Sequence, residues 1–346
     1  MRVAIASVQA PFLSGGAELL AQGLLTACRE AGHEADIVSH PFRFAPPAQV
    51  RRSMELWESE DFAQLNGYVP DLTICLKFPA YAVQAPRKVL WLVHQNRATY
   101  DLWEATHLNA PATPDEIRLR SEIAAFDARH LGAFARRYTI AGNVSRRLKE
   151  HNGLDSAPLY SPPALASALY NLPAEPFIFF PSRLETLKRQ TLLIEAMHHV
   201  RSPIVALIGG TGGQQRACEA LIAQHALHDR VQLLGSLSAE QLCAFYASSL
   251  AVFFGPKDED YGYVTLEAML SAKPVVTCTD SGGPLEFIVD GETGRVVPPE
   301  PEAIASAIDE LASDPAKARA MGQAGRAHYD EMKISWQGVV DALLAP

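Results

Sequence analysis

Apolar and polar positions along the chain follow two alternating spacings. Short, nearly unbroken apolar runs read as buried strands: RVAIASV at the start, then EADIVS, DLTICLK (71–77), KVLWLVH (88–94) and RYTIAG (137–142). Between them lie stretches of helical period, such as LLAQGLLTACREAG, which stops at Gly32, and a longer region over roughly 115–135. The second half restarts the same rhythm. FIFFPSR, PIVALIGG, RVQLLGS, LAVFFGP, KPVVTCT and RVVPP predict strands, and LLIEAMHHV, QQRACEALIAQHA, AEQLCAFYASS and TLEAMLSA predict the helices between them. This alternation predicts an α/β architecture built on parallel sheets.

The segment 157–176, APLYSPPALASALYNLPAEP, interrupts the rhythm with five prolines and reads as a linker. The expected organisation is therefore a domain over 1–165, a second over 166–330, and a final helical segment over 331–346. Two doubly wound domains facing a central cleft follow from that pattern, with ligands expected at the carboxyl ends of the strands. The chain has no short-period repeat and no low-complexity segment.

Composition narrows the class. Of 346 residues, 48% are hydrophobic and 20% charged, as in a soluble globular protein with a substantial core. No apolar run approaches the ~18 residues of a membrane span, and MRVAIASVQAP lacks the layout of a signal peptide. The five cysteines (28, 75, 218, 243 and 278) are scattered, with no zinc-like spacing, which predicts buried free thiols in a cytoplasmic protein. The net charge of −9 falls entirely in residues 166–346, with 13 basic against 22 acidic residues. Residues 118–149 go the other way, with eight basic residues against two acids. That run reads either as a solvated helix face or as a surface for an anionic lipid or phosphorylated acceptor. An acidic chain without interleaved aromatic and basic residues is a poor candidate for binding nucleic acid.

The candidate chemistry concentrates where strands end. PKDED leaves the strand SLAVFFGP, and the helix TLEAML follows, with Thr265 near its first turn. Free amides and the helix dipole favour a phosphate there. Glu267 can accept two hydrogen bonds from a vicinal diol such as a ribose, Glu259 can accept from a second sugar, and Gly262 admits close backbone approach. The plainer alternative is a solvated loop with a helix-favouring glutamate. PSRLETLKRQ places Arg183 and Lys188 five apart after the first strand of the second domain. Two cations there suit a diphosphate, or else cap a helix start. SGGAE offers Gly15 and Gly16 after the first strand of the chain, as an amide cradle or a plain turn. Gly282 and Gly283 precede another short helix carrying Glu286, and His94 ends the strand KVLWLVH.

Taken together, RLETLK, the Glu-x7-Glu pattern of EDYGYVTLE, EAMLSAKPVV and SGGPLEFIVDGETG closely resemble the retaining glycosyltransferases of family 4, also known as group 1 glycosyl transferases. SGGAE and LWLVHQNRATYDLW fit the same family, and the resemblance is strongest over 177–300. It implies a GT-B fold and a hexosyltransferase that retains anomeric configuration, needs no metal or other cofactor, and uses a UDP- or GDP-linked sugar. The acceptor it implies is a glycan or lipid-linked precursor of a bacterial cell-surface polysaccharide, handled in the cytoplasm or at the inner face of the membrane. Carried over residue by residue, Arg183 and Lys188 clamp the diphosphate, helped by the amides of Gly16 and Thr265. Glu267 binds the ribose, and Glu259 with the backbone of Tyr261 and Gly262 holds the transferred sugar. His94 lies beside that sugar, and the base rests near Leu234 and Leu237. Asp260 and Tyr261 stand where many members have Gly and Phe, and Tyr263, Val264 and Thr265 bear on sugar preference.

Four other readings compete. ALIGGTGGQQRACEA suggests a dinucleotide fold, but Gln215 stands where a small residue should pack, and the strand RVQLLGS ends without the expected acid. Asp258–Asp260 resembles a metal–diphosphate clamp, although the cation pair already serves the phosphate. A nucleotide-sugar epimerase, or a non-catalytic nucleotide-sugar-binding protein, would use the same fold.

Overall fold

A computed structural model of the chain describes residues 1–12, 15–108 and 110–345. The chain divides into two units, one of Met1–Ala164 with Ser335–Pro346 and the other of Leu165–Ile334.

In the first unit β1 (Arg2–Gln9), β2 (Glu34–Pro41), β3 (Leu72–Cys75), β4 (Lys88–Leu92), β5 (Arg137–Thr139) and β6 (Ala157–Pro158) form one sheet. Its order is β2-β1-β3-β4-β5-β6, and every pairing is parallel. The inner strands are buried on both faces, which is why they appear in the sequence as unbroken apolar runs. Helix Gly16–Glu30 turns Leu20, Leu24 and Cys28 inward, a spacing of four that keeps them on one face. Helix Pro114–Gly132 starts at a reciprocal cap. Glu116 N donates to Thr113 Oγ1 at 3.3 Å, Thr113 N donates to the Glu116 carboxylate at 2.7 Å, and Pro114 fills the first helical position.

The last helix, Trp336–Leu344, packs within this unit. The Trp336 ring fills the space at Gly23, where an added Cβ would meet it at 2.2 Å, and stands edge-on to Trp91 at 6.2 Å. Arg87 donates to the Ala345 carbonyl at 2.8 Å. The proline-rich segment is shorter than its composition suggests, because Ala157–Pro158 pairs with β5 as an edge strand. Its remainder is fastened at both ends. The Trp91 indole donates to Leu159 O at 3.1 Å, and the Lys273 ammonium donates to Leu172 O at 2.9 Å.

In the second unit β7 (Phe177–Pro181), β8 (Val205–Gly209), β9 (Val231–Gly235), β10 (Ala251–Phe253), β11 (Val275–Cys278) and β12 (Gly294–Val297) make another wholly parallel sheet, ordered β12-β11-β10-β7-β8-β9. Chain order reverses between β7 and β10, and doubly wound sheets hold their ligands outside the strand ends at that point. The matching point of the first unit lies between β1 and β3. All five cysteines are buried and free. Burial pushes the Cys75 and Cys278 thiols up to about 12, so they stay protonated and inert.

Candidate active site

Three loops meet at the switch point of the second unit. The first leaves β7 and carries Arg183 and a short 3₁₀ turn, Thr186–Lys188. Gly210 and Gly212 bring their backbone against it: an added Cβ would meet Ser182 O at 2.0 Å and Leu184 O at 2.4 Å. Ser182 N donates to Gly209 O, and Leu184 N to Thr211 O. The glycines that suggested a dinucleotide fingerprint therefore buttress the Arg183 loop. The Gln190 amide adds a bond of 2.8 Å to the Arg183 carbonyl, while the Arg183 guanidinium stays exposed, with no acidic partner among the described residues.

The second loop leaves β10 and is stitched to both neighbours. Lys257 N donates to Leu187 O at 2.8 Å, Asp258 N to Asp280 O at 2.9 Å, and Glu259 N to Ser281 O at 2.9 Å. The Lys188 ammonium pairs with the Glu259 carboxylate, each side chain less than a fifth exposed, and lies 5.6 Å from the Phe254 ring centroid. The structure thus joins two residues that the sequence reading placed in separate roles. Gly262 adopts φ +89° as the residue before helix Tyr263–Leu270. A Cβ there would press Pro284 Cγ at 3.0 Å and Phe254 at 3.2 Å. Gly262→Ala is therefore expected to destabilise the second unit by about 1–3 kcal/mol, and a denaturant titration checks this. Tyr261 is buried and packs edge-on to Tyr263 at 4.8 Å and Phe287 at 5.6 Å.

Helix Tyr263–Leu270 begins two residues before the expected turn, which places Thr265 inside it. The Thr265 amide donates to Gly262 O at 2.9 Å, while its buried hydroxyl has no partner. The amide is thus engaged within the first turn, and the hydroxyl is the unpartnered polar group of Thr265. Glu267 lies two residues further on and accepts from the Tyr246 hydroxyl at 2.6 Å. Burial pushes its carboxyl up, and the Tyr246 bond partly offsets that. Leu234 and Leu237 are half-buried around the end of β9, and Leu237 fills the space beside Gly209.

In the first unit, Gly15 and Gly16 open helix Gly16–Glu30. The Gly15 amide donates to Glu18 at 3.0 Å, and Glu18 in turn faces Lys77, which follows β3, at 3.4 Å. His94 is half-buried with Nδ1 2.6 Å from Gln95 O. Beside it in sequence, Gln95 starts a partly buried polar chain. Gln95 donates to Asn152 Oδ1 at 2.7 Å, Asn152 to the Tyr100 hydroxyl at 3.1 Å, and Tyr100 to Asp127 Oδ2 at 2.7 Å, with Tyr81 bonding the other oxygen. Asp127 is fully buried. Burial pushes its carboxyl up to about 7, and the two tyrosine hydroxyls pull the other way.

That carboxyl binds its proton more tightly when folded. Its contribution to stability is complete below its usual value of 3.8 and is lost as pH rises through about 7. Tyr81→Phe removes one donor to the ionised form, so its cost, about 1–3 kcal/mol at pH 8, should shrink at pH 5. Urea midpoints at the two pH values measure the difference, and equal costs would contradict this account of Asp127.

Seven of the eight basic residues in 118–149 are engaged within the fold. Arg120 bonds Thr99 O, Arg129 pairs with Glu58, Arg136 and Arg137 bond backbone carbonyls, Arg146 pairs with Glu150, Arg147 with Asp101 and Lys149 with Asp155. Among the described residues, no helix is long and apolar enough to cross a membrane, and no cluster of three His, Cys, Asp or Glu is arranged to hold a metal. Glu267's partner Tyr246 and the arginine beside Lys188 escaped the sequence reading. Neither left a local signal in the sequence, and the positive φ of Arg189 is visible only in the structure.

Two sheets of this topology, each with its loops at the strand ends, define the GT-B class. Solved structures bear this out across the whole chain. Sucrose-phosphate synthase from Thermosynechococcus elongatus superposes with a TM-score of 0.76 at 20% identity, covering 98% of this chain and 96% of that one. Anabaena Alr3699/HepE, in complex with UDP and glucose, gives 0.73 at 17% identity over the full length of both. Residues 170–328 match the family model for glycosyl transferases group 1. Among curated relatives, human alpha-1,3/1,6-mannosyltransferase ALG2 is 32% identical over 166 residues, 43% of this chain and 40% of that protein. The GDP-mannose-dependent alpha-(1-6)-phosphatidylinositol monomannoside mannosyltransferase of Mycolicibacterium smegmatis is 34% identical over 185 residues, 49% of this chain and 46% of that protein. The matches thus span less than half the length of these two relatives.

Proposed function

We propose that the chain is a retaining, metal-independent glycosyltransferase that moves a hexose-type sugar from a UDP- or GDP-linked donor to a glycan or lipid-linked acceptor. The observation that carries this reading is the meeting of Lys188, Glu259, Thr265 and Glu267 around one switch point, beside the exposed Arg183. Loss of a nucleoside diphosphate builds negative charge on phosphate and positive charge on the sugar ring. Arg183, Lys188 and the Thr265 hydroxyl supply preorganised positive partners for the first. The donor's diphosphate competes with Glu259 for Lys188, which leaves the Glu259 carboxylate to accept from sugar hydroxyls.

Glu259 orients and stabilises and is not the nucleophile. The acceptor attacks on the face the diphosphate leaves, and the departing phosphate takes its proton. Glu267, held by Tyr246, takes the ribose diol, and the base lies by Leu234 and Leu237. His94, Gly15 and Gly16 keep the roles the family resemblance implies. A basic run spent on internal pairs offers a membrane little free charge, so the proposal assigns residues 118–149 no membrane role.

The test incubates the protein with UDP-glucose, UDP-N-acetylglucosamine and GDP-mannose in EDTA. It follows nucleoside diphosphate release and the anomeric proton of the first-formed sugar product. Release from one donor with retained configuration is expected. Loss of activity to the chelator, or sugar interconversion without transfer, would overturn the proposal.

A further inference from the structure

The residue between Lys188 and helix Gln190–His199 is Arg189, with φ +59°. That left-handed region suits glycine, and an arginine held there points to a use for its side chain. The guanidinium makes a two-pronged contact with Asp280, Nη1 to Oδ1 at 2.8 Å and Nη2 to Oδ2 at 2.5 Å, across 91 residues of sequence. The arginine side chain is 17% exposed and the aspartate 39%.

Asp280 does more than accept these two bonds. It follows β11, and its own carbonyl receives the Asp258 amide, while the next carbonyl, Ser281, receives the Glu259 amide. Gly283 N returns a bond to Glu259 O at 2.9 Å, and Ser281 Oγ accepts from Cys278 N at 3.1 Å to close the turn. The β11 loop is therefore the backbone template on which Glu259 is laid down. Arg189 ties that template by a rigid fork to the loop bearing Lys188. A lysine at this position would supply charge without the parallel pair of donors.

We infer that Arg189 and Asp280 form a positioning clamp that keeps the Lys188 loop in register with the Glu259 loop, and so sets how the donor's diphosphate and sugar are held together. This role rests on the glycosyltransferase reading for its consequence, but the clamp itself is a property of the fold. Asp280 is held below its usual range by the Arg189 bonds, so the pair stays charged through neutral pH.

Arg189→Gly separates positioning from stability, because glycine relieves the left-handed backbone while removing the fork. Amide hydrogen exchange should rise in residues 183–189 and 255–262 while the melting temperature stays level or increases. The double variant Arg189→Asp with Asp280→Arg should restore slow exchange, and Arg189→Lys should not. Unchanged exchange in Arg189→Gly overturns the clamp, with Asp280→Asn as the second variant should the first fail to fold.

Affinities for UDP and GDP then read the consequence. A loss of about tenfold to a hundredfold in Arg189→Gly for whichever nucleotide the wild type binds, recovered in the charge swap, supports it. Wild-type affinity in Arg189→Gly with loosened loops overturns it. A wild type that binds neither nucleotide, yet shows the exchange pattern, counts against the glycosyltransferase reading and leaves the clamp standing.

Discussion

Lys188→Ala is expected to lower kcat by about 10²–10³-fold, the usual loss when one preorganised donor to a developing anion is removed. The lysine is less than a fifth exposed and faces a phenylalanine ring, so water substitutes poorly for its charge. The loss should sit mainly in kcat, because the charge it meets grows as the leaving diphosphate departs. Removing the lysine also takes its cation from Glu259, so the melting temperature must be followed in parallel. A variant that remains folded at the assay temperature and turns over near the wild-type rate would contradict the assignment. Arg183→Ala should act in the same direction but less strongly, since the Arg183 side chain is exposed and solvent screens it.

Glu267→Ala should weaken donor binding by ten- to a hundredfold. A charge-assisted hydrogen bond contributes about 1.5–3 kcal/mol, and a tenfold change in affinity corresponds to about 1.4 kcal/mol. Glu267→Gln should fall between the wild type and alanine, since it keeps one acceptor. Tyr246→Phe should be milder, because it removes only the hydroxyl that orients the carboxylate at 2.6 Å. Burial raises the Glu267 carboxyl. Donor affinity should therefore begin to fall at a higher pH than an exposed glutamate would cause, and the alanine variant should lose that step. Isothermal titration across pH distinguishes the two, and identical profiles would remove Glu267 from the ribose.

Much of this was legible in the sequence, and the reason is burial on both faces. β3, β4, β7, β10 and β11 are enclosed strands, so each leaves a short apolar run that composition alone reveals. Helix Gly142–Asn152 was not legible. It turns Asn143 and Arg147 inward beside Val144 and Leu148, so only two apolar positions mark its buried face. β6 is two residues long and sits inside a proline-rich stretch that otherwise lacks regular structure. In the site, Arg183, Lys188, Glu259 and Glu267 stood out because their residue types and strand-end positions suit a charged, polyhydroxylated ligand. The contacts among residues were hidden. Lys188 meets Glu259 across 71 positions and Arg189 meets Asp280 across 91, and no local spacing encodes either pair. The bond of the Thr265 amide to Gly262 O was hidden as well, because helix Tyr263–Leu270 starts earlier than the apolar pattern does.

The central claim, a nucleotide-sugar site at the switch point of the second unit, is tested most directly by thermal unfolding in EDTA. UDP, GDP, ADP and NAD are added in turn to the wild type and to Glu267→Ala. A ligand at a hundred times its dissociation constant stabilises the folded state by about 2.7 kcal/mol, which for a unit of this size shifts the midpoint by roughly 5–10 °C. The account predicts such a shift with UDP or GDP in the wild type and its loss in Glu267→Ala. A shift with NAD alone, or a UDP or GDP shift that Glu267→Ala leaves intact, would contradict it.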